Sequence, residues 1–401
     1  MKVYQINSVC GAGSTGKIAC DLADVLQKKG AQSRIAYGRG GSNRDNTFRF
    51  ESDLGVMLHG VLSRITDRHA FYSAAATKKL IEDIRNYAPD LIHLHNLHGY
   101  YVHIGLLFEF LKDYGKPVIW TLHDCWTMTG HCAHFDFIGC EKWKTQCAAC
   151  PQKNEYPASL FLDGAERNYK DKKRLFTSLD NLTVVTPSAW LADLAKQSYL
   201  GKYDVRVIPN GIDLSVFRPT HEDIRTRYGL QDQKILLGVA GVWTDRKGLP
   251  DFKEMAAHKP DDTALVLVGL TKQQIARLPD GIRGIERTEN AKALAALYTQ
   301  AHAFLNPTYE DTFPTTNLEA LACGTPVFTY QTGGSGESVG NGCGAVIPKT
   351  DDRKHNALAL LQAACAATPD RAACLQHAQA YDKYTQFEKY ISLYGELTAA
   401  Q

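Results

Sequence analysis

Short apolar runs alternate with longer segments of helical periodicity along most of this chain, and glycine or proline marks nearly every junction. Residues 3–6, 91–95, 118–122 and 182–186 are predicted strands, rich in Val, Ile and Leu on both faces, as buried parallel strands require. Between them, residues 17–29 place Ile18, Leu22, Val25 and Leu26 on one helical face, and 189–197 repeat the pattern. The rhythm restarts with strands at 234–240, 265–269, 303–305 and 326–328, and with helices from 251 and over 317–323. Beyond residue 337 the chain is Ala-rich and helical, ending in a helix over 385–397. Repeated βα units over two stretches predict an α/β protein of two Rossmann-like domains. The division falls at Ile208-Pro209-Asn210-Gly211-Ile212-Asp213, where Pro209 and Gly211 make a turn on which two domains can hinge. The expected domains are 1–207, with a Cys-rich insert near 125–151, then 208–380, and a closing helix in 381–401.

The densest chemistry lies in residues 304–337, FLNPTYEDTFPTTNLEALACGTPVFTYQTGGSGE. An acidic loop follows one strand, a short helix follows the loop, and Gly333-Gly334-Ser335-Gly336 follows the next strand. Both loops leave the same edge of a parallel sheet, where open α/β sheets bind ligands. The helix N-terminus, with Thr315, Thr316 and Asn317, is an anion site by its unpaired N–H groups. Glu310, Asp311 and Glu319 flank it, more carboxylate than a lone phosphate needs. A nucleotide-sugar fits better, offering a diphosphate to the N–H groups and hydroxyls to the acids. Thr316-Asn317-Leu318-Glu319 also fits a capping box, in which Glu319 bonds only the cap residue.

The spacing Asp311-x7-Glu319, followed by a small-residue helix end and Gly324-Thr325-Pro326, resembles the paired-acid motif of retaining GT-B glycosyltransferases of family four, including those of bacterial colanic-acid-type polysaccharide synthesis. Asp stands here for the first Glu of that motif, with Glu310 one residue out of register. The resemblance implies a GT-B fold, two Rossmann-like domains facing across a cleft, with acceptor in the first and donor in the second. It implies that the first acid faces the donor sugar, that Glu319 takes the ribose hydroxyls, and that transfer retains the anomeric configuration. It extends to the Ile-Pro-Asn-Gly-x-Asp crossover with Asn210, and to Lys247 as the lysine that holds the donor diphosphate, with Arg246 in place of a missing Arg after Gly241. It also covers Thr121-x-His123-Asp124, which implies His123 near the reaction centre. The alternative is a strand-tip histidine held by Asp124.

The first strand runs into Cys10-Gly11-Ala12-Gly13-Ser14-Thr15-Gly16, a glycine turn at the functional end of a βα unit. Gly11 to Lys17 starts a P-loop, but Ile18 stands where Ser or Thr would hold Mg²⁺. An NTPase therefore lacks a necessary atom, and the resemblance gives Gly13 and its neighbours a role in close approach to phosphates. His93 and His95 share a strand face and could form an H-x-H metal pair or simply be hydrogen-bonded at a strand end. Asn96, His98 and Gly99, past the strand end, are the better active-site candidates.

Composition narrows the rest. A formal net charge of +2 predicts no nucleic-acid partner. No run of about 18 apolar residues predicts a membrane span, and MKVYQINSV lacks a signal peptide's apolar core. A cytoplasmic protein with reduced thiols is expected from that. Bases outnumber acids between Lys28 and Arg85, with Arg39, Arg44, Arg49, Arg64, Arg68, Lys78 and Lys79 among them. This is either a solvated face or one that meets anionic lipid at the inner membrane. The eleven cysteines concentrate near Cys132, Cys140, Cys147 and Cys150, spaced C-x7-C-x6-C-x2-C. Three readings stand: a closed structural Zn²⁺ site, packed free thiols, or disulfides.

The chain contains no D-x-D, the usual metal-diphosphate device of the other large glycosyltransferase fold. The reaction is therefore expected to need no metal cofactor, with Lys247 and backbone N–H groups meeting the leaving-group charge. The expected substrates are a UDP- or GDP-sugar donor and a saccharide or lipid-linked saccharide acceptor in cell-surface polysaccharide synthesis. A GT-B epimerase or phosphorylase would use the same donor site.

Overall fold

The computed structural model describes residues 1–399, which divide into two compact units, 1–209 with 387–399, and Asn210–Gln386. The divisions fall after residue 209 and after residue 386, against 207 and 380 expected from sequence. Ile208 packs in the first unit's core, and its N–H donates to the Thr186 carbonyl. Residues 381–383 instead pair with Ile212 in the second unit, and Lys383 Nζ reaches Asp213 Oδ2 at 2.7 Å.

The first unit contains strands β1 (Lys2–Val9), β2 (Gln32–Arg39), β3 (Thr47–Arg49), β4 (Leu91–Leu94), β5 (Val118–Thr121), β6 (Leu182–Thr186) and β7 (Asp204–Val207). Its helices are α1 (Gly13–Lys28), α2 (Asp53–Thr66), α3 (Ala74–Tyr87), α4 (Ile104–Tyr114), α5 (Ala165–Phe176) and α6 (Ala189–Gln197). The sheet is parallel, in the order β3-β2-β1-β4-β5-β6-β7, so its direction of winding reverses between β1 and β4. Side-chain alternation buries both faces. Tyr4, Ile6, Ile92, Leu94, Val118, Trp120 and Val184 share one core with α4, while Val3, Leu91, Ile119 and Val185 share the other with α1.

The second unit runs α7 (Ile224–Tyr228), β8 (Lys234–Val239), α8 (Leu249–Ala256), β9 (Thr263–Val268), α9 (Lys272–Ile275), β10 (Ile282–Ile285), α10 (Ala291–Gln300), β11 (Ala303–Asn306), α11 (Thr315–Ala322), β12 (Val327–Tyr330), β13 (Gly344–Ile347), α12 (Arg353–Ala366) and α13 (Arg371–Gln379). Its parallel sheet has the order β10-β9-β8-β11-β12-β13 and reverses between β8 and β11. Helix α14 (Lys383–Ala399) follows, and its Phe387, Tyr390 and Tyr394 join α1 over the first unit's sheet.

Two helices start earlier than periodicity predicts. Helix α1 begins at Gly13, not Lys17, because Gly11 and Gly13 take positive φ and Gly11 N donates to the Gly16 carbonyl, 3.1 Å. Helix α11 begins at Thr315, behind Pro314, whose fixed φ suits a helix entry.

Candidate active site

In the second unit three loops meet at the C-terminal edge of the sheet, where its winding reverses. Gly248 lets the β8–α8 loop touch the β11–α11 loop: its φ is +78°, and a Cβ would lie 2.3 Å from the Pro307 carbonyl oxygen. Tyr309 N then donates to the Arg246 carbonyl at 2.8 Å, and Arg246 Nη1 donates to the Glu310 carbonyl at 3.4 Å. Gly333 does the same for the loop after β12. It has φ of +50° and a Cβ would lie 1.9 Å from the Asp311 carbonyl oxygen, which accepts from Gly334 N. Beneath them, Asp251 is 1% exposed and accepts from Tyr309 and Tyr330 hydroxyls, both 2.8 Å, while Arg353 pairs with it at 2.6 Å. Burial pushes the Asp251 carboxyl up, and Arg353 and the two tyrosines pull against it.

This frame brings Lys247 Nζ to 2.5 Å from Asp311 Oδ2, with both side chains partly open to solvent. Glu310, by contrast, is buried, so Asp311 is the more accessible of the two adjacent acids. Helix α11 presents its first turn at the same edge. Pro314 holds the cap position without a side-chain hydrogen bond, and Thr315 and Thr316 are half-buried. The capping box that residues 316–319 also fitted does not form, because the helix starts too early and puts Glu319 in its second turn. Glu319 is half-buried instead and accepts from the Tyr298 hydroxyl, 3.0 Å.

Two expected ligand-binding side chains are occupied elsewhere. Asn317 is fully buried; its amide donates to Ser335 and Ser338, and its carbonyl oxygen accepts from Asn306. It ties α11 to the glycine-rich loop, so its side chain is a brace rather than a ligand group. Asn210 is buried with its amide on the Phe313 carbonyl, 3.2 Å, and steadies the loop ahead of α11.

In the first unit the candidate groups gather past β4 and β5. Asp124 does not hold His123. Its Oδ2 takes His98 Nε2 at 2.6 Å and its Oδ1 accepts from Trp126 N. Burial pushes the Asp124 carboxyl up, but the charge and hydrogen bond of His98 outweigh it and keep it well below the usual range. His98 Nδ1 meets the Tyr156 hydroxyl at 2.9 Å. His123 Nε2 sits 3.1 Å from His95 Nδ1, and burial pulls the His123 imidazole down to about 4 against the charge of Asp124. His95, Asn96, His98, His123, Asp124 and Trp126 line one small pocket. The H-x-H metal pair is not formed. His93 is locked between the Tyr394 hydroxyl and Thr121 Oγ1, at 2.6 and 2.7 Å, as a buried link to α14. Gly13 opens α1 on the same sheet edge, and a Cβ there would meet nothing within 4 Å. Ile18 packs into the core and Lys17 points to solvent, so the P-loop resemblance ends at Gly16.

The cysteine-rich segment gathers its thiols at one place. Cys132, Cys140, Cys147 and Cys150 line one cavity, but among the described residues no group of three or more His, Cys, Asp or Glu is placed to hold a metal ion. All eleven cysteines are free thiols, which removes the disulfide reading. Packing and hydrogen bonds order the segment: Trp143 is 2% exposed and stacks on Phe135 at 4.8 Å, and Lys142 Nζ bonds the Ala148 and Ala149 carbonyls. Sequence reasoning missed this because the two aromatic residues stand apart on no regular period.

The family model described as Glycosyltransferase Family 4 matches residues 15–216, and that of Glycosyl transferases group 1 matches residues 220–372. WcaC of Escherichia coli (strain K12), a glycosyl transferase named for colanic acid biosynthesis, is 28% identical over 82% of this chain and 82% of its own. The alpha-galactosylglucosyldiacylglycerol synthase of Streptococcus pneumoniae (strain ATCC BAA-255 / R6) is 28% identical over 42% of this chain and 48% of its own. Among solved structures, Anabaena HepE in complex with UDP-glucose superposes with a TM-score of 0.66 at 14% identity, covering 100% of both chains. Two parallel Rossmann-like units, three loops converging on a Lys–Asp pair and two adjoining family matches that span most of the sequence lead to one assignment: the chain belongs to the family-four glycosyltransferases and has the GT-B fold.

Proposed function

We propose that the second unit binds a UDP- or GDP-sugar and that the enzyme transfers its hexose, with retention, to a hydroxyl of a saccharide or lipid-linked saccharide in cell-surface polysaccharide synthesis. The observation that carries this is the grouping of Lys247, Asp311, Glu319 and the open first turn of α11 at the winding reversal of one sheet. Lys247 and the α11 N–H groups supply positive charge for a diphosphate. In the free protein Asp311 neutralises Lys247, and an arriving diphosphate takes its place, freeing Asp311 for the sugar. Glu319 is half-open to accept from ribose hydroxyls. The acceptor oxygen forms its bond to the anomeric carbon on the face from which the diphosphate departs, and the acceptor proton passes to the leaving oxygen. His98, Asp124 and His123 of the first unit are the groups proposed to hold acceptor hydroxyls.

The reaction on this reading needs no metal, because lysine and helix dipole meet the leaving-group charge. The names of two relatives, one for a polysaccharide and one for a diacylglycerol glycolipid, support a saccharide or lipid-borne acceptor, and the UDP-glucose complex of HepE supports a nucleotide-sugar donor. The proposed location is the cytoplasm, at or near the inner membrane; among the described residues no helix is long and apolar enough to cross one. Thermal-shift titration with UDP and GDP tests the donor, since a ligand of the native state raises its stability by mass action. The anomeric coupling constant of the product, read by NMR, tests retention. An altered donor sugar formed without acceptor would assign an epimerase instead.

A further inference from the structure

Strand β2 ends in an arginine that the fold leaves without a partner. Arg39 is its last residue and pairs with Val9 of β1, so it stands on the C-terminal rim of the first unit's sheet. Its side chain reaches across the end of β1 to the loop after β4. Gly99 of that loop takes φ of +120°, and a Cβ on it would lie 3.2 Å from Ser8 Cβ and 3.6 Å from Arg39 Cζ and Nε. The guanidinium thus lies where the winding of the sheet reverses, the place at which open α/β sheets bind ligands. Arg39 is half-buried, its Nε is enclosed, and among the described residues it has neither an acid nor a hydrogen-bond acceptor. The other arginines between residues 28 and 70 are engaged. Arg34, Arg44, Arg49 and Arg68 pair with Asp83, Asp24, Asp53 and Asp171, and Arg64 lies over the Tyr100 ring at 5.6 Å.

A second unsatisfied hydrogen-bond donor belongs to a side chain that touches the same glycine. His69 is 5% exposed, and burial pushes its imidazole well below the usual range. Its Nε2 accepts from Gly99 N at 3.2 Å, so the neutral ring carries its proton on Nδ1, which has no partner among the described residues. Enclosed polar atoms are nearly always hydrogen-bonded, and those that are not require a ligand, ion or water. Two N–H donors, one of them on a cation, match an anion, and the planar fork of arginine matches carboxylate and phosphate. The candidate acceptor groups lie alongside. The charge of Arg39 is felt at the Tyr100 and Tyr156 hydroxyls, the two rings meet edge to face at 6.1 Å, and the Tyr156 hydroxyl meets His98 Nδ1 at 2.9 Å. Nearby carboxylates do not compete for the arginine. Asp124 is committed to His98 and Trp126 N, Glu51 turns to Ser52 N at 2.8 Å, and Glu155 is exposed to solvent.

We propose that Arg39, beside Gly99 and His69, receives an anionic group of the acceptor, a phosphate or a carboxylate, and that the acceptor is therefore an acidic saccharide. The anion fills the fork of Arg39 next to the Tyr156–His98–Asp124 chain, so it fixes which hydroxyl of the saccharide faces the donor sugar. A neutral saccharide leaves the guanidinium unpaired and gains none of this orientation. The inference rests on the first unit as the acceptor side, as in the preceding reading.

The test is calorimetric titration of the full chain, saturated with UDP, with glucose 1-phosphate, glucuronate and glucose in turn. Wild type should bind at least one of the two anions about 10–100-fold more tightly than glucose, the range for a hydrogen bond to a charged group. Whichever anion binds the tighter identifies the acid as phosphate or carboxylate. Arg39→Gln should lose the preference while keeping the melting temperature and the UDP-induced thermal shift. Arg39→Lys, which keeps the charge but not the fork, should retain part of it. Equal binding of all three sugars by wild type, or a preference that survives Arg39→Gln, would overturn the proposal. So would loss of the UDP-induced shift in Arg39→Gln, which would assign the arginine to the donor diphosphate. An Arg39-dependent preference with no sugar transfer to any acceptor would leave the subsite standing and remove the proposed reaction; transfer to a neutral saccharide at one rate in wild type and Arg39→Gln would do the reverse.

Discussion

Replacing Lys247 by alanine separates catalysis from stability at the Lys247–Asp311 contact. The pair is close, at 2.5 Å, but 24% and 17% of the two side chains is exposed, so solvent screens it. Exposed and half-exposed pairs contribute about 0–1 kcal/mol to folding, and the Gly248 and Gly333 contacts hold both loops without it. The melting temperature should therefore move by no more than a few degrees. In the proposed transition state the same ammonium faces a departing diphosphate, and removing one such preorganised donor costs roughly 2.7–4 kcal/mol. That converts to a loss of about 10²–10³ in kcat. The assay is turnover at saturating donor beside donor affinity by calorimetry, with Asp311→Asn as a partner variant. Asp311→Asn frees the lysine and should keep or improve UDP affinity while impairing transfer of the sugar. If Lys247→Ala turns over normally, or loses stability in proportion to activity, the lysine is only one half of a loop tie and the charge argument fails.

Glu319→Gln should weaken UDP binding about 10–100-fold, the worth of a hydrogen bond to a charged group, with little change in melting because no capping box depends on it; unaltered affinity with lower stability would make it a brace for Tyr298. His59 and His93 are buried and their imidazoles are pushed down to about 3, mainly by burial. Between that value and the unfolded pKa near 6.5 the unfolded chain binds more protons, so stability should fall as pH drops from 6.5 towards 4. The loss is on the order of 2 kcal/mol per imidazole at pH 5; a melting temperature flat between pH 7.5 and 5 would contradict it. Turnover should persist in excess EDTA, and loss restored by Mg²⁺ would show that lysine and helix dipole do not suffice. Trp143→Ala should destabilise the first unit by about 3–5 kcal/mol, as large-to-small changes in cores do, and protein purified without chelators should carry no stoichiometric zinc. One equivalent of zinc would mean that the four thiols close around the cavity they line.

The sequence by itself determined the two βα series, the crossover near Pro209, the edge on which the loops lie, and the Asp311-x7-Glu319 spacing. These are legible because periodicity, glycine turns and helix starts act over a few residues. Only the tertiary structure decided who touches whom. Asp124 took His98, 26 residues away, rather than its neighbour His123, because β4 and β5 lie side by side and bring both strand ends together. Asn317 looked like a ligand group and became a brace once Ser335 and Ser338 closed over it. Asp251, with Tyr309, Tyr330 and Arg353, supports the site through contacts 58 to 102 residues apart that no local pattern announces. Helix α2 shows the limit most plainly. Its apolar stripe is visible in the sequence, where the ordinary rule would point it inward, and only packing reveals that His59 and Ser63 hold the inside. Burial is a property of the assembled fold, and a side chain's neighbours across the sheet are set by long-range pairing that one-dimensional periodicity does not encode.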